Sequence, residues 1–175
     1  LGENDDSNLA FSPQNNFYYI PGQPLQGDID YHFNAAEAYN EQPAKATGND
    51  KFDAWPTKND WYETIKLNYG VDYQNGRYGH FNPIPDTWNK MLHILLFWAS
   101  KDIDGFRCDM AEMVPVEFWG WAIPQVKEAY PHIIFIAEVY NPYEYRNYIF
   151  NGHFDYLYDK VGLYDTLRAL TCGHE

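Results

Sequence analysis

Cysteine is scarce in this chain of 175 residues, and the two that occur, Cys108 and Cys172, form neither a disulfide framework nor the paired spacing of a zinc site. Cys108 reads as a small buried residue. Basic residues are also few: 12 Lys and Arg stand against 25 Asp and Glu, a formal charge of −13. A nucleic-acid backbone or an anionic membrane surface would be repelled at long range, so neither is expected as a partner. No apolar run approaches the roughly 18 residues that a membrane span needs, and no signal-peptide pattern opens the chain. Leu1 in place of Met is read as a processed or truncated start. The compartment stays open: secreted, periplasmic and cytoplasmic all fit. Repeats at a fixed period and low-complexity tracts are absent as well.

What is present is a chain 45% hydrophobic and 19% aromatic, which indicates a globular fold. Sixteen Tyr and six Trp offer flat faces suited to sugar rings, although ordinary packing accounts for most of them.

Residues 1 to about 84 are rich in Asn, Asp, Gly, Pro and Tyr. Turn signals recur at Pro21-Gly22, Gly27-Asp28, Gly48-Asn49 and Asn75-Gly76. So long an irregular stretch in a compact domain is more often functional than decorative. From Pro85 the pattern changes. Trp88, Met91, Leu92, Leu95, Leu96 and Ala99 predict a helix over about 86–100. A strand is expected at about 103–109. A second helical region follows Pro115, and Pro124 is expected to break or restart it. The run "HIIFIAEVY", residues 132–140, reads as a parallel strand covered on both faces. A short helix (142–150), a strand (154–158) and a last helix (160–170) complete the pattern of alternating βα units, the signature of a parallel sheet.

Alternation along a strand places Arg107 and Asp109 on one face, and the same parity sets Glu138 beside Ile134 and Ile136. Two acids then end consecutive parallel strands, where α/β folds carry their chemistry. With neighbouring backbones about 4.8 Å apart, the carboxyl groups come to about 5 Å. That matches the roughly 5–5.5 Å between nucleophile and acid/base in retaining glycosidases. Arg107 is expected to favour ionised Asp109, and nearby aromatic residues to push Glu138 toward its protonated form. The competing reading of the same residues is a structural ion pair and a helix-capping Glu.

At these residues the sequence resembles the α-amylase family of glycoside hydrolases. "DGFRCD" is similar to the family's Gly-Phe-Arg-x-Asp segment, "FIAEVY" to the strand ending in the acid/base, and "TIKLN", residues 64–68, to the short motif closing the domain inserted after the third barrel strand. From "PAKATGND" through "FDYLYDKVGLYDTLR" the likeness is to bacterial amylases and neopullulanase-like enzymes. The resemblance implies an α/β fold: a partial (β/α)8 TIM barrel of about three βα units over 85–175, preceded by the loop-rich inserted domain at 1–84. It implies Asp109 as nucleophile, Glu138 as acid/base and Arg107 as the residue orienting Asp109. Substrate contacts are expected from Tyr140, Asn68 and Glu112, with Trp61 and Tyr62 as further stacking candidates. The partner is an α-glucan such as starch, maltodextrin or pullulan. The reaction is double displacement through a glycosyl-enzyme, with transglycosylation as the alternative outcome and a non-catalytic carbohydrate-binding or assembly module as the alternative class.

The chain departs from the family pattern in two ways. Glu112 and Met113 stand where many members carry Lys-His. The Asp-x-x-x-Asn-His and Asn-His-Asp segments are missing, and His174-Glu175 does not supply the third carboxylate. A full barrel needs about 250 residues. The chain is therefore expected to be an internal piece, inactive alone and prone to self-association through open sheet edges and apolar helix faces. Calcium is common in the family. Asp50, Asp53 and Asp60 lie in oxygen-rich loops, but they read as solvated loop acids, and no metal ligand is named.

Overall fold

A computed structural model describes residues 1–26 and 39–173. The Gly27-Asp28 turn signal and His174-Glu175 lie outside the described residues. The chain forms two compact units, Leu1–Lys90 and Met91–Glu175.

In the first unit regular structure is sparse. Strand β1 (Tyr19–Ile20) pairs antiparallel with β2 (Ala44–Lys45), and β3 (Val71–Asp72) with β4 (Tyr78–Gly79). Backbone groups outside these short ladders need other partners, and the Asn- and Asp-rich composition supplies them. The Asp5 carboxylate accepts the backbone N–H groups of Asn16 and Phe17. Asn15 accepts from Asp6 N–H and donates to Asp6 O. The fully buried Asn16 donates to Asp86 and Thr87 and accepts from Gly2 N–H and Lys90 Nζ. Aromatic packing fills the interior: Tyr18 meets Phe52 and Tyr73 edge-on and donates its hydroxyl to Val71 O at 2.7 Å. Burial pushes that phenol far above its ordinary pKa.

Helix α1 (Asp86–Ala99) starts right after Pro85, as expected, and ends one residue short of the expected end. Within the second unit, β5 (Gly105–Cys108), β6 (Ile134–Ala137) and β7 (Tyr156–Leu157) form a three-stranded sheet, all parallel, in the order β5-β6-β7. Helix α2 (Val116–Ala129) links β5 to β6, α3 (Tyr145–Phe150) links β6 to β7, and α4 (Asp165–Cys172) follows β7. Gly105 is required where β5 meets β6, because a Cβ there would lie 2.3 Å from Ile134 O.

Two expectations are corrected. Helix α2 runs through Pro124 without a break. Phe118, Trp119, Ala122, Ile123 and Val126 are buried on both sides of the proline, and their packing outweighs the one backbone hydrogen bond it removes. Strand β6 is covered on one face, not two. Phe135, Ala137 and Val139 are fully buried, with Phe135 against Phe106 and Phe154, and Phe154 in turn against Trp119 and Tyr148. Ile134, on the other face, remains 40% exposed. Cys108 is half-buried, and burial pushes its thiol up to about 12.

Candidate active site

The open face of the sheet carries the polar residues. Arg107 Nη1 pairs with Asp109, Nη2 reaches Glu138 Oε1 at 3.0 Å, and Nε donates to Tyr158 Oη at 3.0 Å. One planar fork therefore ties the ends of three adjacent strands, each nitrogen fixed toward a different one. These contacts raise the guanidinium pKa, the Tyr158 hydrogen bond first, so Arg107 is a permanent cation.

The two carboxylates occupy different surroundings. Asp109 has a side chain 71% exposed, while that of Glu138 is 9% exposed. Beyond Asp109 the chain turns sharply: Met110 has φ 43°, the left-handed region uncommon for any residue with a Cβ. The turn aims Met110 N–H at Glu138 Oε2, 2.9 Å away. Backbone bonds from Glu138 N to Cys108 O and from Ala111 N to Glu138 O, both 3.0 Å, extend the pairing of β5 and β6 past their ends.

Glu138 departs from expectation. Its pKa is lowered, by the Tyr140 hydroxyl first (2.6 Å to Oε1), then by Met110 N–H, with Asp109 and the Arg107 cation adding to the effect. The aromatic neighbour acts through a hydroxyl rather than as an apolar wall, and a hydrogen bond to the charged form favours that form.

Tyr140 thus lies on Glu138. Glu112 Oε2 accepts Asn141 N–H at 3.1 Å, which fastens the loop after β6. Asn68 belongs to the first unit and is fully buried, donating to Ser12 O and accepting from Gly70 N–H, each at 2.8 Å. Trp61 and Tyr62 are also in the first unit, both partly exposed. Sequence reasoning passed over the segment after β7. Tyr158, Asp159, Lys160 and Tyr164 join Glu138 and Tyr140 around an open cleft of about 440 Å³. Lys160 Nζ stands 4.9 Å from the Tyr164 ring centre and 5.9 Å from that of Tyr140, and pairs with Asp165. The available signal was position: "YDK" follows a third parallel strand, the same end of the sheet as the two acids.

The acids considered for calcium are otherwise engaged. Asp50 is no solvated loop acid: it pairs with Lys66 at 2.6 Å and Arg77 at 3.5 Å. Asp53 pairs with Lys51, and Asp60 accepts from Thr57. Among the described residues no three His, Cys, Asp or Glu side chains gather, so these acids do not fit a calcium cage.

No protein-family profile matches the chain. Two curated relatives are named α-1,4-glucan:maltose-1-phosphate maltosyltransferase. That of Cereibacter sphaeroides is 35% identical over 57 residues, 33% of this chain and 10% of the relative. That of Rhodospirillum rubrum is 40% identical over 55 residues, 31% of this chain and 8% of the relative. Among solved structures, an α-amylase from Lactobacillus plantarum superposes with a TM-score of 0.50 at 26% identity, covering 74% of this chain and 30% of that one. The chain is similar to this α-amylase in fold and, over a short stretch, to these maltosyltransferases in sequence. The described residues form a three-stranded parallel sheet with its helices and no closed barrel. The matched stretch spans a tenth or less of the length of these curated relatives.

Proposed function

We propose that this chain is the central part of a longer α-glucan-active enzyme that works by double displacement with retention. Asp109 is the nucleophile, Glu138 the acid/base, and Arg107 the residue that orients both. The observation that carries this reading is the single Arg107 fork holding two carboxylates at the ends of neighbouring parallel strands. An exposed Asp beside a sheltered Glu fits a nucleophile facing substrate and a proton donor at its side. Residues 1–84 then form the domain inserted after the third barrel strand, and 85–175 supply strands four to six of a (β/α)8 barrel whose remaining strands, with the third carboxylate, lie elsewhere in the protein.

Hydrolysis of starch, maltodextrin or pullulan is the leading reading. Transfer to another sugar is the second, favoured by the open cleft next to Glu138, which leaves room for an acceptor, and by the names of the curated relatives. A fluorinated glycosyl fluoride, which slows release of the glycosyl-enzyme, should label the longer enzyme at Asp109 by peptide mass spectrometry. A label on another residue overturns the assignment. Products of a maltooligosaccharide, with and without an added acceptor sugar, then separate water from sugar as the second nucleophile. The 175-residue chain alone should show negligible turnover.

Phe97 and Trp98 of α1 and Leu163, Leu167 and Leu170 around α4 are more than half exposed. We propose that the 175-residue chain self-associates through such apolar faces. Light scattering should show assemblies that grow with concentration, and a monomer at high concentration refutes this.

A further inference from the structure

Glu138 receives two hydrogen bonds and one ion-pair contact, and the three partners differ in kind. Arg107 Nη2 (3.0 Å) and Met110 N–H (2.9 Å) can only donate. They suit a carboxylate and are repelled by a carboxylic acid whose O–H points at them. The Tyr140 hydroxyl, 2.6 Å from Oε1, can also accept. It is the one partner of the three able to reverse its bond when Glu138 takes up a proton.

We infer that Tyr140 is a positioning residue for Glu138 in both of its protonation states, donating to the carboxylate and accepting from the acid, rather than a stacking platform for sugar. The inference rests on the reading of Glu138 as acid/base. In the first half-reaction Glu138 must hold a proton while two of its contacts favour the charged form, so the carboxyl group needs a contact that survives protonation. When that proton passes to the departing sugar oxygen the hydroxyl turns to donating, and in the second half-reaction, as Glu138 takes a proton from water, it returns to accepting. No proton leaves Tyr140 for good in either step: the O–H turns, and the proton that is transferred belongs to Glu138.

The geometry around Tyr140 fits this role. Its hydrogen bond to Glu138 raises the phenol's pKa, so the hydroxyl keeps its proton through neutral pH. The groups facing the Glu138 carboxyl are Arg107 and Asp109 from the end of β5, Met110 N–H from the turn beyond it, Tyr140 from its own strand end, and Tyr158, Asp159, Lys160 and Tyr164 from the segment after β7. Lys160 Nζ sits over the Tyr140 ring at 5.9 Å and steadies that ring through a cation–π contact. A sugar stacked on the same face would have to displace it.

The test separates the hydroxyl from the ring. In the 175-residue chain, the Glu138 carboxyl is titrated by carbon NMR in wild type, in Tyr140→Phe, and in Tyr143→Phe, whose exposed ring takes no part in the cleft. Tyr140→Phe should move the Glu138 midpoint to higher pH and Tyr143→Phe should leave it in place. Reciprocally, Glu138→Gln should lower the pH at which the Tyr140 phenol ionises, a measurement that serves if the Phe variant fails to fold. In the longer enzyme, Tyr140→Phe should lower kcat with little change in KM and shift the alkaline limb of kcat/KM to higher pH. A Glu138 midpoint unmoved by Tyr140→Phe, or a phenol midpoint unmoved by Glu138→Gln, overturns the inference. The titrations need no turnover, so they fail or succeed independently of whether Glu138 is the catalytic acid.

Discussion

Glu138→Gln in the longer enzyme should lower turnover of a maltooligosaccharide by about 10²- to 10⁴-fold, the usual contribution of a positioned acid/base. The loss should depend on the leaving group. A sugar alkoxide is a poor leaving group and needs the proton from Glu138, whereas a glycosyl fluoride leaves with little assistance. On the fluoride, formation of the glycosyl-enzyme should survive in the variant, and its breakdown should become limiting because no base activates water. Azide, which needs no base, should restore turnover and yield a glycosyl azide of retained configuration. Asp109→Asn should abolish activity on both substrates, since no bond to the anomeric carbon can form. An equal loss on both substrates in Glu138→Gln, with no rescue by azide, would sink the assignment.

The pH dependence follows from the same contacts. Glu138 is held below its ordinary carboxylate pKa of 4.5, with the Tyr140 hydrogen bond as the largest cause. With Glu138 in the proposed role of acid and Asp109 in that of nucleophile, the free enzyme needs the first protonated and the second ionised, so the alkaline limb of kcat/KM should lie toward the acidic side. For folding the sign is the opposite way round. Because the folded pKa is depressed, the stability from these contacts is complete above the unfolded value and is lost as pH falls through the folded one.

The second large effect concerns the first unit. Asp50→Asn should destabilise it by about 3 kcal/mol, the lower end of the range for breaking a buried ion pair from one side. Lys66 is only 6% exposed, its Nζ lies 2.6 Å from Asp50 and 4.6 Å from the Tyr73 ring centre, and without Asp50 it would be a buried cation facing an amide. The substitution isolates charge, because Asp50 has φ 72° and Asn tolerates that left-handed geometry about as well as Asp. Adding Lys66→Met should recover much of the loss, since the cation left unpaired is then gone. The midpoint of urea unfolding measures both steps. A shift in Asp50→Asn worth less than about 0.5 kcal/mol, typical of a surface substitution, would show that the pair carries no such weight.

Periodicity and strand parity were enough to place α1, the β5 and β6 strands, and the shared side of Arg107, Asp109 and Glu138, because these depend on local spacing and on alternation along one backbone. Asn68 shows where such reasoning stops. A motif marked it as a substrate contact, but whether an amide faces a ligand or a carbonyl depends on residues distant in sequence, and Ser12 O takes its donor. Pro124 shows the same limit for helices: local chemistry favours a break, and buried neighbours on either side override it.

By itself, then, the sequence determined which acids end neighbouring parallel strands and that an arginine stands between them. Only the tertiary structure decided the charge state those acids prefer, since that turns on where the hydroxyl of Tyr140, the N–H of Met110 and the fork of Arg107 point. It also decided that the segment after β7 joins the site. Hydrogen-bond direction and the meeting of distant segments are properties of three-dimensional packing, which no spacing along the chain encodes.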